Sequence, residues 1–144
     1  MTPRLFDRAL HSQRLARAAG RRAQADFLRR RVAEDLADRL ACVNRDFPLA
    51  VELGRRDGAL ATALAETGVA GKIGRLIGSD VERSTGGGAD VVMDEERLAI
   101  GEAAVDLIVS TLGLHWVNDV VGALIQMRRA LKPDGCLLYT SRCV

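Results

Sequence analysis

From Pro48 onward the sequence alternates short apolar runs with segments of helical spacing, and this alternation restricts the fold more than any other feature. Residues 49–53 read as a buried strand and residues 58–67 as a helix with Leu60 and Leu64 on one face and Gly68 as its stop. Residues 73–79, 90–93 and 105–110 read as three further strands. Asn118 is placed to cap a helix carrying Val121, Leu124, Met127 or Arg128, and Leu131, which the KPDG turn at 132–135 ends. Strands alternating with helices predict an α/β fold, a parallel sheet with helices on both faces. Ligands of such sheets sit beyond the carboxyl ends of the strands.

The segment before Pro48 has a different pattern. Leu28, Val32, Leu36 and Leu40 recur every fourth residue, which predicts one apolar stripe on a helix starting near Asp26. An earlier helix is expected around 8–20, so residues 1–46 form a helical extension to a domain that begins at 47. With aromatics at only 3% of 144 residues, the single core must be built from Leu, Val and Ala. No apolar run approaches the roughly 20 residues that a membrane-spanning helix requires.

Charge and cysteine usage narrow the setting. Residues 1–31 hold nine arginines against Asp7 and Asp26. Such an end suits an anionic partner, or equally a solvated helix face; no aromatic platform accompanies it, so nucleic acid is not an expected partner. The three cysteines, Cys42, Cys136 and Cys143, have no metal-ligand spacing, which favours a reducing compartment.

Several runs together resemble one family. LFDRAL at 5–10, FPLAVELG at 47–54, SDVE at 79–82, MDEERL at 93–98, LHWVND at 114–119 and RRALKPDG at 128–135 occur in the same order in class I methyltransferase-fold proteins. LFDRAL with LHWVND is similar to the branch of mitochondrial complex I assembly factor 5, whose bacterial relatives include malonyl-carrier-protein O-methyltransferases of biotin synthesis. The resemblance implies a Rossmann-like class I methyltransferase fold, S-adenosylmethionine (SAM) as cofactor, and a small-molecule or protein methyl acceptor. It starts at about Leu5, which leaves no room for a removable presequence and makes bacterial cytoplasm the expected location. It also implies that the N-terminal extension packs near the cofactor mouth, as a lid or simply as cover for the sheet.

The same resemblance assigns candidate site residues. The family's acidic-x-G-x-G-x-G loop corresponds to Glu52, Gly54 and Gly58, with Arg56 in place of the middle glycine. Arg56 either swings outward or lies where the sulfonium and its methionine moiety belong. Asp80 fits the acidic residue that accepts ribose hydroxyls, or else a turn residue. Asp94 corresponds to an adenine contact or a turn cap, and Glu95 and Glu96 are expected to be solvated. His115 is the candidate general base, the alternative being a structural hydrogen-bonder, and Trp116 fills core or meets substrate.

The assembly-factor branch is associated with hydroxylating an arginine of a complex I subunit, so such a subunit is a candidate partner. Non-haem iron hydroxylation calls for two histidines and a carboxylate. The only histidines, His11 and His115, are expected to lie far apart, so no metal site is expected.

The fifth strand is expected to begin at Gly135, with residues 47–135 forming the first part of a truncated methyltransferase domain. Residues 136–144, CLLYTSRCV, resemble a translated sequencing adaptor and are expected to be a non-native tail. The fourth strand would then lack a flanking neighbour and the domain would be marginally stable.

Overall fold

A computed structural model describes residues 4–21, 24, 26–82 and 88–140. Five strands form one sheet in the order β3-β2-β1-β4-β5, and every pairing is parallel. The strands are β1 (Phe47–Leu53), β2 (Ile73–Asp80), β3 (Val91–Val92), β4 (Val105–Thr111) and β5 (Leu131–Thr140). Among the described residues, four α-helices of more than one turn accompany them: α1 (Arg8–Ala18), α2 (Phe27–Ala41), α3 (Ala59–Glu66) and α4 (Val120–Ala130). The expected parallel α/β architecture is the one observed. None of the described helices is long and apolar enough to cross a membrane.

β1 starts two residues before the expected position because Pro48 is accommodated near the strand's beginning, between the pairs Phe47↔Ile73 and Leu49↔Arg75. Two apolar clusters, one on each face, bury the sheet. Ala33, Leu36, Ala37 and Leu40 of α2 and Leu60, Ala63 and Leu64 of α3 pack on Phe47, Ala50, Leu107 and Val109. Ala123, Met127 and Ala130 of α4 pack with Val51, Leu53 and Ile108. β4 is buried along its whole length, as a central parallel strand covered on both sides must be.

The structure revises the expected helix details. Leu28 is 53% exposed, and the buried stripe of α2 is Ala33, Leu36, Ala37 and Leu40. A strict every-fourth-residue row drifts around a 3.6-residue helix, so its first member leaves the buried face. Asp119 rather than Asn118 caps α4, accepting from the Gly122 N–H at 2.8 Å.

The KPDG segment also differs from expectation. Leu131 is already extended and pairs with Val105, while Cys136 pairs with Leu107, so residues 132–135 form an irregularity within β5. Lys132 is thereby brought to Asp106 at 2.9 Å, and the other Asp106 oxygen accepts from the Leu49 N–H at 2.9 Å. The fifth strand therefore begins before Gly135, and β4 is flanked on both sides, by β1 and β5. Cys136–Thr140 of the expected tail run alongside β4; residues 141–144 lie outside the described ones.

Candidate functional site

The carboxyl ends of β1, β2 and β4 converge where an α/β sheet positions ligands. Glu52, the second-last residue of β1, has no exposed surface. Burial is the main reason its carboxyl is pushed up to about 7; the Arg55 and Arg29 cations oppose the shift. The chain then turns through Gly54 at φ 73, Arg56 at φ 54 and Gly58 at φ 76. This left-handed conformation comes without strain to glycine, whereas Arg56 holds it at about 1–2 kcal/mol.

The two loop arginines diverge. Arg55 lies across Gly78 of β2, where a Cβ would meet its Cδ at 2.1 Å, and reaches Asp90 at 2.9 Å. Arg56 turns inward and is only 8% exposed, which excludes the outward alternative. Its N–H donates to Asp80 Oδ2 at 3.0 Å, and the Val81 N–H donates to Asp80 Oδ1 at 2.8 Å. Asp80 thus ends β2 at 2% exposure, gripped by two backbone donors.

A third arginine bridges the strand ends. Arg29 of α2 donates to the carbonyls of Gly54 at 2.9 Å, Arg55 at 3.2 Å and Thr111 at 3.0 Å. Asp57 and Asp26 lie 3.7 and 3.9 Å from its Nε. One guanidinium therefore ties α2 to the loop after β1 and to the end of β4. No sequence signal singles Arg29 out from the neighbouring Arg30 and Arg31, which instead pair with Glu34.

The two runs most specific to the resemblance, LFDRAL and LHWVND, meet in space. Phe6 N–H donates to Asn118 Oδ1 at 2.8 Å, and Asn118 Nδ2 donates back to Phe6 O at 3.1 Å. Arg8 donates to Asp94 at 2.6 Å, to Glu95 at 2.8 Å and to the Trp116 carbonyl at 3.1 Å. His11 stacks on Trp116 at 4.3 Å, and His115 lies against the same indole at 5.4 Å. The histidines expected to be far apart therefore share one ring, because α1 folds back across the loop after β4. Desolvation, reinforced by the Arg56 and Arg8 cations, pushes His11 down to about 4.

Glu95, expected to be solvated, is 3% exposed. Its Oε1 lies 3.7 Å from where a Cβ on Gly54 would stand and 3.2 Å from one on Gly113. The partner that makes this burial tolerable is Arg8, 87 residues away in sequence and invisible to local patterning. Glu96 accepts from the Asn118 N–H and from Gln126 Nε2. Asp94 Oδ1 takes the Glu96 N–H at 2.9 Å as well as Arg8, so it caps its turn while facing α1.

The Phe6–Asn118 clasp yields a direct expectation. Asn118→Ala removes both hydrogen bonds and should loosen the N-terminal segment by about 1–2 kcal/mol. Faster hydrogen exchange at the Phe6 amide, with core amides unchanged, is the expected result; unchanged exchange would show that Arg8 and His11 hold α1 by themselves.

Comparison with known proteins agrees with this architecture. Mitochondrial arginine-hydroxylase NDUFAF5 of Mus musculus is 34% identical over 158 residues, spanning 96% of this chain and 45% of that protein. Malonyl-[acyl-carrier protein] O-methyltransferase of Methylovorus sp. (strain MP688) is 28% identical over 157 residues, spanning 95% of this chain and 51% of that one. The chain thus spans about half the length of these relatives. A solved complex of the Haloferax volcanii Trm112 methyltransferase activator with a putative methyltransferase matches with a TM-score of 0.68 at 22% identity, covering 85% of this chain and 57% of that one. The methyltransferase domain model matches residues 51–139, from the middle of β1 to the end of β5, and the chain belongs to that family.

Proposed function

We propose that this chain carries the cofactor-binding region of a SAM-dependent methyltransferase acting on a small-molecule or protein acceptor. The observation that carries the reading is the adenosine-sized setting around Asp80 and Asp94. A cavity of about 340 Å³ is lined by Val81, Val92, Met93 and Asp94 from the sheet side and by Arg8, Ala9 and Ser12 of α1. Asp80 lies next to Val81 at the end of β2, with acceptor capacity beyond its two backbone donors for a ribose hydroxyl. These residues fit the adenosine portion of SAM. The sulfonium portion fits poorly, since Arg56 is buried in the loop that would face it.

When bound, SAM supplies a methyl group already activated for transfer, so the protein's contribution is orientation and exclusion of water. Gly54 lets the loop take its left-handed turn at φ 73 without strain, and Arg29 fixes that loop to the end of β4. His115, in the turn Leu114–Trp116 directly after β4, is the candidate to receive a proton from the acceptor. α1 covers both the adenosine side and the His115–Trp116 turn, through His11 on the Trp116 ring and Arg8 on its carbonyl. The reducing cytoplasm of a bacterium is the proposed setting.

Calorimetry with S-adenosylhomocysteine, which retains the adenosine and lacks the sulfonium charge, tests this reading. Asp80→Ala should weaken binding by about 1–3 kcal/mol through loss of a charged acceptor. Unchanged affinity in a folded variant would leave Asp80 as a turn residue only. Total lack of binding to the unaltered chain would sink the cofactor assignment.

The 34% identity to a mitochondrial arginine-hydroxylase favours a second reading, in which the chain acts as an assembly factor on a respiratory complex I subunit. Capture of such a subunit, with hydroxylation rather than methylation of an arginine in it, would establish that alternative.

A further inference from the structure

We infer that the outward face of α1, together with the exposed first turn of α2, is a docking surface for a membrane bearing anionic headgroups. The docking goes beyond the cofactor reading and stands independently of it.

Partners sort the N-terminal charge. Between Asp7 and Asp26 the chain carries five arginines and no acid. Arg8 is engaged inside, by Asp94, Glu95 and the Trp116 carbonyl. Arg14, Arg17 and Arg21 are exposed, make no hydrogen bond or ion pair among the described residues, and with Ala18 line one cavity of about 390 Å³. Leu10, Arg14, Arg17 and Arg21 follow helical spacing through α1 and the short turn Ala19–Arg21, so they share one stripe. His11 and Ser12 point the other way, His11 onto Trp116 and Ser12 toward the cavity assigned to adenosine.

Apolar side chains accompany these cations. Leu5 is 75% exposed and Phe27 81%, and Leu10 and Leu28 are exposed as well. None of the four joins either core cluster. Arg8 ties α1, and Arg29 ties the first turn of α2, to the carboxyl edge of the sheet, so both segments present these groups from that edge. Guanidinium groups beside Leu and Phe are the composition of a segment that lies in a lipid interface, where the cations meet anionic headgroups and the apolar tips enter the acyl boundary. A nucleic acid would use the cations but leave the leucines in water, and a single exposed phenylalanine gives it no stacking platform. A second copy would set like charges against each other. Residues 32–144, with 12 Lys and Arg against 17 Asp and Glu, are repelled by an anionic surface and so orient the molecule with its N-terminal face toward it.

Flotation of the whole chain with lipid vesicles tests the inference, since aggregated protein sediments and does not float. Vesicles of phosphatidylcholine and phosphatidylglycerol in equal amounts should bind the chain at least tenfold more tightly than phosphatidylcholine alone, and added salt should weaken that binding. Replacing Arg14, Arg17 and Arg21 together by Gln should lower binding to the mixed vesicles at least tenfold, each cation near such a surface being worth about fivefold. Phe27→Ser with Leu28→Ser leaves the charge unchanged and should still lower binding severalfold. All five side chains are exposed, so these variants keep the core intact. Equal binding to the two kinds of vesicle, or unchanged binding in either variant, would overturn the inference. A single-stranded oligonucleotide that strips the chain from mixed vesicles at matched charge concentration would assign the face to nucleic acid and overturn it as well.

Discussion

Leu107→Ala is expected to lower the unfolding free energy by about 2–5 kcal/mol, the range for removing a buried leucine side chain without full collapse of the cavity. Leu107 lies at the middle of β4, has no exposed surface and is paired to Ala50 on one side and Cys136 on the other. Its neighbours in the cluster, Leu36, Leu40, Leu60 and Leu64 among them, come from α2 and α3, which pack together on one face of the sheet. Backbone pairing on both sides limits how far β4 can move to fill the gap, which favours the upper part of the range. For a domain whose whole stability is about 5–15 kcal/mol, such a loss is a large fraction. Urea denaturation measures it, with Leu28→Ala as the control. The control should change stability by less than about 0.5 kcal/mol because Leu28 is 53% exposed. Equal losses in the two variants would mean that the α2 face assigned to the core is wrong.

The contrast between Leu28 and Leu36 shows which parts of this molecule local patterning can reach. Alternation of apolar runs with helical spacing depends on burial, and burial leaves a periodic trace. Five strands, their parallel order and the helices on both faces therefore follow from the sequence. Gly54, Gly58, Asp80 and Asp94 are legible for a related reason, since each follows a recognisable strand or opens a turn. The contacts that complete the crevice have no such trace. Arg8 reaches Glu95 across 87 positions and Arg29 reaches Thr111 across 82, and nothing near either arginine in sequence anticipates its partner. Glu95 looks solvated when its neighbours are Asp94 and Glu96, yet tertiary pairing buries it. His11 and His115 approach one another only because Trp116 offers both a surface, a consequence of α1 folding back over the loop. Local order records which face is apolar; long-range ion pairs decide what the face encloses.

Glu52→Gln should make the protein more stable at alkaline pH, by about 3 kcal/mol at most. Glu52 has an ordinary value of 4.5 in the unfolded chain and about 7 in the folded one, where burial disfavours its charged form. The folded state therefore binds the proton more tightly. Its stabilising contribution is complete below about 4.5, declines as pH rises from there to about 7, and is lost above that value. The difference between the two values corresponds to about 3 kcal/mol, with the opposing pull of the Arg55 and Arg29 cations already included. Arg55 Nε stands 3.7 Å from the carboxylate, close enough to soften the penalty. Glutamine keeps the shape and remains neutral throughout, so it removes this single titration. Urea denaturation of both proteins at pH 4.5, 6, 7 and 8.5 should give curves that nearly coincide at the acidic end and diverge upward for the variant. Parallel curves would show that Glu52 titrates normally in the folded chain. Divergence would tie the firmness of the loop after β1, and with it the placement of Arg56, to the protonation of the carboxyl beneath it.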